Sequence, residues 1–137
     1  RYEISNYARP GYACRHNLLY WTDGDYLGLG PSAQSYVGGC RFGNIADLNA
    51  YTGRLQDNQL PVNERLTLSE EEQRRDALIF GLRLLNGVPN SVAAGDPGQR
   101  DLLAQLAVKG LIVSEGQRIR LTPQGRRFAD SVAADLF

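Results

Sequence analysis

The side chains whose types and spacing point most directly to chemistry lie within the first 36 residues of this protein. His16 and Trp21 are the only histidine and the only tryptophan; Asn17 and Tyr20 lie between them and Cys14 just upstream. An imidazole offers a proton-transfer or metal-ligating nitrogen, and a thiolate offers a softer ligand. Indole and phenol rings add flat apolar faces with polar tips. Such a set suits a flat aromatic ligand held against His16. It equally suits a core histidine and two aromatics packed at the end of a barrel, and residue types alone leave both readings open.

A second candidate follows at Gly28-Leu29-Gly30-Pro31-Ser32-Ala33-Gln34. Its paired glycines could let a ligand lie against the backbone, or could simply mark a strand end that bends or packs tightly. A dinucleotide-type phosphate cradle would need a third glycine and a helix directly afterwards, and neither is present.

The elements that must position these residues read as follows. Tyr2-Glu3-Ile4-Ser5 alternates like a short strand and stops at Pro10-Gly11. Leu18-Leu19-Tyr20-Trp21 is too short for periodicity to separate helix from strand. Tyr26–Gly30 and Gln34–Val37 read as strands. Asn44 is expected to cap a short helix with Ile45, Leu48, Thr52 and Leu55 on one face. The polar run 56–65 reads as a linker, with a domain boundary near residue 66.

Beyond that boundary the signals are stronger. Ser69-Glu70-Glu71-Glu72 is a capping box opening a helix that turns apolar nearly all round, and Asn86-Gly87 ends it. A second helix spans roughly Gln99–Lys109, with Gly110 as its stop. Leu111–Ser114 and Arg118–Leu121 form a hairpin pattern. Thr122-Pro123 opens a last helix striped by Phe128, Val132 and Leu136. The order matches a small winged-helix-like domain, giving an α+β chain divided as 1–66 and 67–137.

Composition narrows the function. Residues 1–66 carry six basic and six acidic side chains and residues 67–137 nine of each. That balance gives no long-range pull toward DNA or an anionic membrane. The helix at 99–109 offers only Arg100 and Lys109 against Asp101, a poor footprint for a nucleic-acid partner. No apolar run approaches the ~20 residues of a membrane helix. Two cysteines, Cys14 and Cys40, make no disulfide framework, suit a reducing cytoplasm, and fall short of an iron–sulfur triplet. There is no methionine, even at position 1, so a piece of a longer protein is expected.

Tyr2–Gly11, Cys14-Arg15-His16-Asn17, Tyr20-Trp21 and Tyr26–Ala33 together resemble one family. The likeness continues through Arg41, Asn44, Tyr51, Gly81-Leu82-Arg83, Gly87-Val88, Lys109–Ile112 and Leu121–Gly125. It is to the C-terminal part of the oxygen-independent coproporphyrinogen III oxidase-like proteins, and more closely to their heme-chaperone branch. The resemblance implies radical S-adenosylmethionine proteins whose cluster cysteines lie near the N-terminus, outside this chain. Residues 1–66 would be the last strands of an incomplete (β/α) barrel with a short helix and linker. Heme, a [4Fe–4S] cluster and S-adenosylmethionine would be bound by the full-length protein, with no cofactor in this part alone. In the chaperone branch His16, Asn17, Tyr20 and Trp21 would contact heme, with Cys14 as a second ligand. In the oxidase branch Gly28, Gly30, Ser32, Ala33 and Gln34 would line the S-adenosylmethionine site. Gln34 stands where chaperone-branch relatives commonly have histidine, and an amide cannot ligate iron as imidazole does.

The resemblance also implies heme or a porphyrin as ligand, an acceptor protein for the heme, and an exposed strand edge open to a homodimer. The alternatives are a fragment of a true coproporphyrinogen oxidase and a structural or interaction domain with no ligand of its own.

Overall fold

Which local signals became elements was decided by what each could pair with. The computed structural model describes residues 1–95 and 97–137. In chain order it contains α1 (Arg15–Trp21), β1 (Gln34–Val37), β2 (Cys40–Asn44), α2 (Leu48–Gln56), β3 (Val62–Thr67) and α3 (Glu70–Gly81). There follow β4 (Val88–Pro89), α4 (Asn90–Ala93), α5 (Pro97–Val108), β5 (Ile112–Glu115), β6 (Arg118–Leu121), a 3-10 turn (Gly125–Phe128) and α6 (Ala129–Leu136). It is a mixed α+β chain with two small antiparallel sheets, ordered β1-β2-β3 and β4-β6-β5. Two compact units result, one of Arg1–Asp23 with Glu71–Phe137 and one of Gly24–Glu70.

The first unit holds the main core. Leu78 of α3 and Leu82 just past its end (α3 stops at Gly81, ahead of the expected Asn86-Gly87), Leu103 and Leu106 of α5, and Val132 and Leu136 of α6 recur at three- and four-residue spacing. They meet Val88, Ile112 and Leu121 from the small sheet, and the cluster is buried throughout. Gly110 ends α5 with φ +69: Leu111 N–H donates to the Leu106 carbonyl and Gly110 N–H to that of Ala107, a Schellman closure. In the β5–β6 hairpin Gly116 has φ +61 while Gln117 does not go positive, the type II′ pattern that suits strand twist. Thr122 Oγ1 accepts from Gly125 N–H at 2.9 Å, but the turn it caps is 3-10. Phe128 therefore leaves the expected stripe and is exposed.

The N-terminal segment joins this unit by backbone pairing rather than as a full strand. Glu3 bridges Leu84, Ile4 N–H donates to Arg83 O at 3.0 Å, and Leu85 N–H to Tyr2 O at 3.2 Å. Glu3 is fully buried; its carboxylate accepts from Ser5 N–H and from the Asn6 amide, at 3.0 and 2.6 Å. These bonds satisfy a charge that burial would otherwise penalise.

In the second unit three expectations change. The run 56–65, read as a linker, contributes to β3: Val62–Thr67 pairs with β2 through a register shift at Gly43/Asn44. Its alternating polar side chains hid a strand whose stabilisation comes from backbone pairing. Asn44 lies in β2, and α2 is capped instead by Asp47, which accepts from Ala50 N–H at 2.8 Å. Leu48 and Leu55 stay exposed, so that helix has no buried face. Tyr26–Gly30 pairs with the β1 backbone, among the described residues, only at the Tyr26–Tyr36 bridge, and other polar groups of the loop are taken by side chains, as described next.

Candidate functional site

The ten sequence-selected residues fall in two places, five in each unit. Gly11, at φ +82, turns the chain, and Tyr12 N–H closes that turn on Arg9 O at 2.9 Å, leading into α1. A helix turns about 100° per residue, so residues four apart share a face. His16 and Tyr20 make one such pair. The Tyr20 hydroxyl lies 3.1 Å from His16 Nε2, the rings meet edge-on at 5.1 Å, and both residues are exposed.

Asn17 and Trp21 make the other pair, on a neighbouring face. Asn17 Nδ2 donates to the Tyr2 hydroxyl at 3.1 Å, tying α1 to the N-terminal segment. Trp21 is half-buried beneath Arg83, whose guanidinium carbon sits 4.7 Å from the ring centroid. Cys14 is exposed, with a free thiol, at the N-cap position of α1, and makes no side-chain cap. Helix geometry thus brings His16 and Tyr20 together and turns Trp21 toward α3.

The glycine segment is held by side chains from far along the chain. Gly28 N–H donates to Ser35 Oγ at 3.0 Å and Gly30 N–H to the Tyr51 hydroxyl at 3.2 Å. Asn44 Nδ2 donates to the carbonyls of Gly28 and Gly30, at 3.2 and 2.9 Å. A Cβ on Gly28 would collide with the Gln34 carbonyl and approach Ala33 Cβ to 2.9 Å. Gly30 and Ser32 adopt positive φ, of 105° and 60°. The amides of Gly28 and Gly30 are therefore engaged within the protein, and close packing accounts for the first glycine. Ala33 N–H closes on Gly30 O at 3.3 Å, while the exposed Gln34 reaches the Ser32 carbonyl at 3.4 Å. Leu27 and Leu29, by contrast, point to solvent.

Sequence reasoning passed over Ser35 and gave Asn44 and Tyr51 no part in this loop. A loop with two glycines must find partners for its amides, but nothing local says that Gly30 would find Tyr51, 21 positions away. Asn44→Ala deletes two bonds and leaves two carbonyls without that donor. It should lower local stability by about 1–3 kcal/mol, read as faster hydrogen exchange at the Ala33 and Gly30 amides with the Val132 amide unchanged.

Among the described residues no three His, Cys, Asp or Glu side chains are grouped to hold a metal ion, and Cys14 and Cys40 belong to different units. Among the same residues no helix is long and apolar enough to cross a membrane.

Residues 68–128 match the HemN C-terminal domain family. The heme chaperone HemW of Mycobacterium tuberculosis (strain H37Rv) is 36% identical over 135 residues, 98% of this chain and 34% of that protein. HemW of Bacillus subtilis (strain 168) is 33% identical over 138 residues, 96% of this chain and 36% of that protein. The chain thus spans about a third of the length of the curated relatives it matches. The solved structure described as "Coproporphyrinogen III oxidase (HemN) from Escherichia coli is a Radical SAM enzyme" superimposes with a TM-score of 0.64 at 23% identity. It covers 83% of this chain and 28% of that one, and shares its fold.

Proposed function

We propose, from a chain whose residues 68–128 belong to the HemN C-terminal domain family and which is similar over nearly its whole length to heme chaperones, that it is the C-terminal region of a heme chaperone. Its cargo is heme, taken up and passed to an acceptor protein in a reducing cytoplasm. The observation that carries the reading to particular residues is the exposed His16–Tyr20 pair on α1. An exposed imidazole can approach an open macrocycle, and histidine is an ordinary axial ligand of heme iron. The Tyr20 hydroxyl orients the ring through Nε2, and its exposed phenol ring stands edge-on beside the imidazole. Asn17 and Trp21 act one step back, fixing α1 against Tyr2 and Arg83. Cys14, one turn before Leu18, is the second candidate ligand.

In the same reading residues 1–66 are the end of a radical S-adenosylmethionine barrel and residues 67–137 a winged-helix-like domain, a division supported by the family match beginning at residue 68. The [4Fe–4S] cluster does not fit the residues present, since two cysteines in separate units cannot supply three thiolates. Cluster and S-adenosylmethionine chemistry would belong to the rest of the longer protein. The unpaired edge of β3 is where a homodimer contact would form. The names of the sequence relatives favour the chaperone over the oxidase.

Titration of hemin into the chain, followed by the Soret band, tests the reading. His16→Ala should weaken binding roughly tenfold or more and shift the band. Equal affinities and identical spectra for the two proteins would remove His16 from the site.

A further inference from the structure

A pocket of about 300 Å³ opens beside Trp21, within the first unit. Its walls are apolar and come from α3 and the residues just after it, β6 and α6, with Ile79, Leu82, Leu121 and Val132 among the lining side chains. Among the described residues lining it, Arg83 alone carries a charge.

That guanidinium is weakly held. Nη1 lies 3.5 Å from Asp130, a carboxylate almost fully exposed to water, and Nη2 lies 3.4 Å from Ser5 Oγ. Charge-assisted bonds normally close to about 2.7–2.9 Å. Arg83 Nε–H and, beside it, Trp21 Nε1–H are buried without a partner. A guanidinium stacked on an indole, at the rim of an apolar cavity and tied only by long bonds, complements an anion on an apolar body. Its planar fork matches the two oxygens of a carboxylate better than a point charge would. The cavity lies at the lower end of the roughly 300–1,000 Å³ seen for ligand pockets, which suits a short chain or single ring.

The geometry points to a subsite for a carboxylate carried on a short apolar arm, with the arm between α3, β6 and α6 and the carboxylate on Arg83. Two sources share this chemistry, a free medium-chain carboxylate and the propionate arm of a tetrapyrrole. The subsite stands on its own geometry and does not depend on the heme reading.

Trp21 is the only tryptophan of the chain, so its fluorescence reports on this pocket alone. Octanoate titrated into the protein should give a saturable change. Octan-1-ol, with the same tail and no charge, should bind at least about tenfold more weakly, as should octanoate to Arg83→Gln. Ala133→Leu, which fills the cavity and keeps the guanidinium, should abolish the response. If Arg83→Gln fails to fold by circular dichroism, the octanoate–octanol comparison and Ala133→Leu decide the matter. Absence of a saturable response in the unaltered chain, equal affinity for acid and alcohol, or unchanged binding to Ala133→Leu would overturn the subsite. Displacement of bound hemin by octanoate assigns the site to a propionate arm, and octanoate binding without displacement assigns it to free carboxylates. A chain that takes octanoate but no hemin keeps the subsite and loses the heme reading alone.

Discussion

Gly87→Ala should destabilise the first unit by about 3 kcal/mol or more. Two costs add at this position. Gly87 has φ +60, where an L side chain costs roughly 1–2 kcal/mol. Its missing Cβ would also run into the Ile119 carbonyl and lie 2.6 Å from Arg120 Cβ, so β4 would have to leave β6. The turn is tied on both sides: Gly87 N–H donates to Leu84 O at 2.9 Å, and Arg118 donates to the carbonyls of Asn86 and Gly87 at 2.8 and 2.6 Å. Overpacking at such a site costs about 1–3 kcal/mol beyond the backbone strain. In thermal denaturation followed by Trp21 fluorescence the midpoint should fall by roughly 15 °C. Gly116→Ala separates the two costs. Gly116 shares the positive φ but has nothing within 4 Å of its Cβ position, so only the smaller backbone cost should appear. Equal losses for the two variants would show that packing against β6 does not require Gly87.

Leu106→Ala should cost about 2–5 kcal/mol, the range for a leucine removed from a packed core. Leu106 has no exposed surface and sits on the face of α5 that meets the main apolar cluster. Its backbone also anchors the helix end, since the Leu106 carbonyl accepts from Leu111 N–H at 2.9 Å; alanine keeps that bond and removes only the side chain. The expected readout is a lower denaturant midpoint with little change in slope. Val108, two residues on, is 90% exposed, and Val108→Ala should stay within about 0.5 kcal/mol. A Leu106→Ala loss as small as that of Val108→Ala would mean that α5 does not form part of the core.

The sequence by itself determined the elements whose signals are local. The start of α3 directly after Ser69, the glycine stop at Gly110 and the Glu115–Arg118 turn were legible because each depends on residues within one turn of chain. The apolar spacing of Leu78/Leu82 and Val132/Leu136 likewise announced buried faces. The choice of His16 and the Gly28–Ala33 segment as candidates drew on likeness to a family rather than on periodicity, and the relatives found agree with that family.

Only the tertiary structure decided the partnerships. Polar residues 62–67 formed a strand because β2 offered a backbone to pair with, a term that side-chain patterning does not register. Gly28 and Gly30 turned out to be held by Ser35 of β1, Asn44 of β2 and Tyr51 of α2, the last 21 positions from its partner. The six-residue motif His16–Trp21 was visible as a string, but its division was not. Once α1 is helical, a 100° turn per residue sends His16 and Tyr20 to solvent and Trp21 under Arg83, 62 positions further on. Residue types and family likeness singled out the residues; the helix and its neighbours chose what each one faces.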